Sequence, residues 1–143
     1  MSKKVKFKDL YDVNEHGVVT NPDRISIPIP KSINKGLVKA TIRLAECNRG
    51  WVSSYELWLH DCGYAGPVSY HRDVAHPTAT DAAMYQAGRL VCMCRRREDH
   101  IDTKAERTRV NSVRKCIENF MDEVRLGIAE LPGVRDLKQA ELF

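Results

Sequence analysis

The 143-residue sequence predicts an α+β fold: a small antiparallel sheet of three to four strands, covered by two C-terminal helices and followed by a flexible tail. Three observations carry that expectation. Residues 37–60 read as two alternating arms around a turn, the pattern of a hairpin. Two later stretches, about 81–97 and 103–131, repeat apolar residues at spacings of three and four. Strands come first and helices after, an order that favours helices laid on an antiparallel sheet over alternating βαβ units.

The pattern is least regular over residues 1–36. Lys3, Lys4, Lys6 and Lys8 interleave with Val5, Phe7 and Leu10, a short alternation that suits an edge strand guarded by lysines. Asn14-Glu15-His16-Gly17 and Asn21-Pro22-Asp23 are turn chemistry. Residues 25–30 alternate, but Pro28 and Pro30 confine them to an edge or a crossing strand, and residues 32–36 form a loop. In the first hairpin arm Val38, Ala40, Ile42 and Leu44 alternate with Lys39, Thr41, Arg43 and Ala45. Asn48-Arg49-Gly50 supplies the turn, with Gly50 able to take a positive φ. In the second arm Trp51, Tyr55, Leu57 and Leu59 alternate with Val52, Ser54, Glu56 and Trp58. Two strands do not hold alone in water, so the downstream helices are expected to cover them.

Asp61-Cys62-Gly63 and Ala65-Gly66-Pro67 bracket a turn, and residues 68–74 are expected to add a short third strand. Thr80 is the expected N-cap of the first helix, with Asp81 in its first turn. Ala83, Ala87, Leu90, Val91 and Cys94 share one helical face beside Met84, and Arg95-Arg96-Arg97 suit the helix C-terminus. The second helix opens on Thr103-Lys104-Ala105-Glu106, a capping box. Val110, Val113, Ile117, Phe120, Met121, Val124 and Ile128 then make one apolar stripe, and Pro132-Gly133 stops it.

The length suits one domain: an irregular segment 1–36, a core 37–131 and a tail 132–143. Hydrophobic residues make up 43% and charged residues 29%, which places the chain with water-soluble globular proteins. No run reaches membrane-span length and the N-terminus lacks a signal-peptide pattern, so no membrane partner and a cytoplasmic location are expected. Five cysteines without framework spacing suit free thiols. A net charge of +4 allows a polyanionic partner without requiring one.

Beyond Gly133 no further core is expected, yet the chain runs to Gln139-Ala140-Glu141-Leu142-Phe143. A Leu-Phe pair outside the core needs something to take it up. This pentapeptide resembles the bacterial sliding-clamp-binding motif, in which a glutamine is followed after two residues by leucine and phenylalanine. The resemblance covers five residues and names a binding peptide rather than a fold. It implies that Gln139 hydrogen-bonds at the lip of the clamp's pocket while Leu142 and Phe143 fill the pocket. Ala140 stands where the motif favours leucine, which implies weaker binding. The other reading has Leu142 and Phe143 fold back onto the body.

Basic residues gather where the two helices join: Arg95, Arg96, Arg97, Lys104, Arg107 and Arg109, with Arg114 and Lys115 beyond. Such a cluster suits phosphate contacts with single- or double-stranded DNA. Trp51 and Tyr55, with Trp58, are candidates for stacking on unpaired bases. Glu98, Asp99, Asp102 and Glu106 lie among the cations and dilute the field, and the aromatics equally suit a core.

Cys92 and Cys94 with His100, or His60 with Cys62, lack zinc-ligand spacing, and no phosphate loop is present, so neither a metal nor a cofactor is expected. His60, Asp61, His71, Asp73 and His76 could furnish a small hydrolase, but no nucleophile motif accompanies them. The first expectation is a non-enzymatic accessory protein of DNA metabolism, of bacterial, phage or plasmid kind, that docks on the sliding clamp through its C-terminal peptide and touches DNA. The second is a protein–protein interaction or regulatory module that pairs through the long helix, a homodimer included. The third is the hydrolase.

Overall fold

A computed structural model describes residues 11–34, 38–60, 62–70, 72–128 and 131. The expected lysine-guarded edge strand, Asp61, His71 and the terminal pentapeptide lie outside the described residues. The protein is α+β. Its elements run β1 (Val18–Val19), β2 (Asp23–Ser26), α1 (Lys31–Asn34), β3 (Lys39–Cys47), β4 (Gly50–Trp58), β5 (Gly63–Ala65), β6 (Val68–Ser69), α2 (Ala79–Asp99) and α3 (Lys104–Arg125). Strands β2-β3-β4-β5 form an antiparallel sheet in that order, and β1 pairs with β6 in a second, two-stranded sheet. Helix α2 packs on β3 and β4, while α3 packs along α2 and reaches α1. No helix among the described residues is long and apolar enough to cross a membrane.

The hairpin closes with Cys47 opposite Gly50, leaving Asn48 and Arg49 as a two-residue turn. Gly50 sits at φ 129, and a Cβ there would lie 2.4 Å from the His76 carbonyl oxygen. Only glycine fits both demands. Trp51 and His76 exchange backbone hydrogen bonds of 2.7 and 2.8 Å, which ties the hairpin to the segment leading into α2.

Register then decides which residues meet the helices. Ala40 opposite Leu57, Ile42 opposite Tyr55 and Leu44 opposite Ser53 share one face. That face packs with Ala82, Ala83, Ala87, Leu90 and Cys94 of α2 and with Val113, Ile117 and Phe120 of α3 in the main core. Alanines at the contact let α2 lie close to the sheet, and each large side chain fully buried there contributes about 1.5–3 kcal/mol. On the opposite face Ala45, Cys47 and Val52 join Tyr11, Val19, Val68 and Tyr70 in a smaller cluster beneath the two-stranded sheet.

Four details depart from or sharpen the sequence pattern. Residues 68–74 do not extend the main sheet. Strand β6 covers two residues and pairs with β1, because the Asp73 carboxylate accepts a 2.8 Å bond from the Ser69 N–H and closes a turn. The fourth strand of the main sheet is β5, inside the expected turn. Gly63 makes room there, since a Cβ would lie 2.0 Å from the Trp58 ring. The N-cap of α2 is Thr78 rather than Thr80: its hydroxyl accepts from the Asp81 N–H at 3.0 Å. Helix α3 stops at Arg125, well before residue 131. Gly127 at φ 76 donates to the Val124 carbonyl, and Ile128 donates to the Glu123 carbonyl at 2.8 Å, a complete Schellman motif. Ile128 thereby leaves the apolar stripe and is 66% exposed.

Candidate nucleic-acid interface

The α2–α3 junction is built from caps. His100 ends α2 with its backbone N–H on the Arg97 and Glu98 carbonyls, and its ring nitrogen bonds to the Arg96 carbonyl at 2.8 Å. Thr103 starts α3, accepting from the Glu106 N–H at 3.3 Å and donating to the Glu106 carboxylate at 3.2 Å. Ile101 is buried between them and fastens the turn to the core.

Cations around this junction divide into two sets. Arg114 bonds to Glu98 at 2.7 Å and to Glu118 at 3.1 Å, with its side chain largely buried. Arg95 approaches Glu118 at 3.4 Å. Arg107 donates to the Ile101 carbonyl at 3.0 Å, and Arg97 is also engaged. The hydrogen bond from Arg114, aided by one from Asn111, holds the Glu98 carboxyl below its ordinary range against the opposing effect of burial. These groups serve the packing of α2 on α3. Arg96, Lys104 and Arg109 are exposed and make no ion pair among the described residues. Of the six cations singled out from the sequence, these three have side chains with neither an ion pair nor a hydrogen bond among the described residues, while Arg107 meets only backbone carbonyls.

The aromatics do not form one platform. Trp51 is 6% exposed and belongs to the main core. Tyr55 is half-buried on the same face, with the Arg89 guanidinium 4.9 Å from its ring centre. Trp58 lies an odd number of residues away and so projects from the opposite face, 43% exposed. Its indole N–H donates to Glu56 at 2.7 Å. That bond, with Arg43 and Lys39 nearby, holds the Glu56 carboxyl below its ordinary value. The parity is present in the sequence, and it sets Trp58 apart from Trp51 and Tyr55.

Among the described residues, His60, Asp73 and His76 each have a separate partner. His60 faces the Ile33 carbonyl at 3.3 Å, Asp73 closes the turn after β6, and the His76 ring lies tilted by 40° against Tyr85 with centroids 5.0 Å apart. All five cysteines are free thiols. Cys92 is exposed, whereas burial pushes the Cys94 thiol up to about 12. Among the described residues no group of three metal-ligating side chains occurs. Of the long-helix stripe, Val110, Val113, Ile117, Phe120 and Val124 are buried in the main core, Met121 is partly buried against it and Ile128 is exposed.

The fold and junction define a class: an α+β domain with a helical hairpin on one sheet face and exposed cations at that hairpin's turn. Comparison with protein-family models, curated proteins and solved structures finds no match to this chain.

Proposed function

We propose that this protein is a non-enzymatic accessory factor of DNA metabolism that docks on a bacterial sliding clamp through Gln139, Leu142 and Phe143 and touches DNA through Arg96, Lys104 and Arg109. The observation that carries the reading is the pentapeptide itself, a glutamine spaced from a Leu-Phe pair as in the clamp-binding motif. Two apolar anchors and one polar contact on a short peptide give modest affinity once ordering costs are met. The exposed, unpaired cations support the second half, because phosphate contacts need charge that is not already neutralised. Trp51 has no part in this proposal, since it is a core residue.

Calorimetric titration of a bacterial sliding clamp with the whole chain tests it. Micromolar binding is expected, and Leu142→Ala with Phe143→Ala should weaken it by about 30-fold or more, the loss typical of buried anchors. Equal binding by the double variant would end the clamp reading.

A further inference from the structure

A groove of about 700 Å³ lies between residues 28–33 and α3, within the size range of about 300–1,000 Å³ in which proteins hold ligands. Its making is legible in the chain. Ile27 sends its N–H inward to the Ala40 carbonyl at 2.9 Å, so the N–H groups of residues 28 and 30 would face outward. Both are prolines and have none, which denies this edge to another strand. Helix α1 then brings the segment against α3. Ile29 and Ile33 are left only partly buried, facing Cys116 and Phe120 across the groove. What the groove offers is apolar side-chain contact rather than a free backbone edge.

We propose that this groove takes Leu142 and Phe143 of the same chain, so that the peptide is shared between its own body and an outside partner. The competition with a clamp rests on the function proposed above, whereas the docking does not. Leu131 packs against the main core, which brings the chain back to the body after the helix stop at Gly127. From Leu131 the remaining twelve residues can span about 40 Å. The α3 positions lining the groove, 112 to 123, lie within about 20 Å of the helix end at Arg125, so reach is ample. Lys115 and Glu123 carry the charge in the groove's lining; Asn119 donates to Glu123 at 3.4 Å, whereas Lys115 makes no ion pair among the described residues and can meet Glu141, the residue beside the Leu-Phe pair. A second copy could offer the same peptide, but a short tether gives a chain's own tail an effective concentration of about millimolar, far above usual protein concentrations.

Cys116 reports the occupancy. It lines the groove and is partly exposed, so a seated peptide shields its thiol from alkylation. The test compares alkylation of Cys116, read by peptide mass mapping, in the whole chain and in the Leu142→Ala/Phe143→Ala variant. Roughly tenfold faster modification in the variant is expected, from a tether-driven occupancy of about nine-tenths, with exposed Cys92 unchanged as the reference. Equal rates at Cys116 would overturn the proposal. Protection that vanishes on dilution would also overturn it, by assigning the groove to a second copy. Protection that persists in a chain that binds no clamp would support the docking while ending the clamp reading.

Discussion

Residues 11–128 and residues 139–143 carry their apolar residues in different sequence patterns. In the body, large apolar residues follow a period: two along β3 and β4, three and four along α2 and α3. Ile42, Leu44, Leu57, Leu90 and Ile117 end fully buried against one another. In the terminal pentapeptide, Leu142 and Phe143 belong to no period and follow a helix that has already been capped at Gly127. The periodic apolar residues build the core, and the proposed function assigns the apolar pair outside every period to recognition. Stability and recognition should therefore be separable by substitution.

The largest separation is expected from Ile117→Ala, which opens a cavity in the main core where α3 packs on α2. It should cost about 2–5 kcal/mol in denaturant unfolding and leave the clamp affinity of the folded fraction unchanged. Phe143→Ala should do the reverse, weakening clamp binding while costing no more than about 1.4 kcal/mol, the most that a nine-tenths occupancy of the groove contributes to stability. If Phe143→Ala also lowered the midpoint strongly, the two regions would not be separable.

Glu98→Ala comes next, since it strips Arg114 of its shortest ion-pair contact in a largely buried setting. A loss of about 1–2 kcal/mol is expected at neutral pH. Because the Arg114 hydrogen bond lowers the folded-state pKa of Glu98, its stabilisation is complete above the ordinary value of 4.5 and is lost as pH falls through the lower, folded value. Urea unfolding followed from about pH 6 to pH 3 should thus show the wild type losing stability faster than Glu98→Ala, so that the gap between them narrows.

Arg96→Ala combined with Arg109→Ala should leave stability within about 0.5 kcal/mol, because neither makes an ion pair among the described residues. The salt dependence of DNA binding should fall in slope by about one per residue removed. An unchanged slope would return these cations to the solvated surface. The smallest expected signal is a contrast of thiols: at mildly alkaline pH, Cys92 should alkylate while native Cys94, pushed up to about 12 by burial, stays unmodified.

Much of the body is written in its pattern. Alternation around Gly50 predicts the hairpin, and the stripe from Val110 to Val124 predicts α3 and its buried face. Pro28 and Pro30 predict the edge position of β2. What escaped are features of two or three residues whose cause is a distant partner. Strand β5 exists because Gly63 fits beneath Trp58, and β6 because β1 is there to pair with it. The end of α3 was readable, since Leu126-Gly127-Ile128 has the form of a Schellman stop, but the stronger Pro132-Gly133 signal draws attention past it. At the candidate interface, sequence proximity gathers the cations without telling paired from unpaired. That distinction belongs to helix packing, which brings Glu98 and Glu118 to Arg114 and leaves Arg96 and Arg109 outside.

The central claim is that clamp recognition resides in the tail and owes nothing to the body. Grafting residues 132–143 onto an unrelated carrier protein and titrating it with a bacterial sliding clamp tests that directly. The expected result is micromolar binding at least as tight as that of the whole chain, because the graft has no groove to compete for Leu142 and Phe143. A carrier that fails to bind a clamp that the whole chain does bind would place recognition in the body and contradict the account.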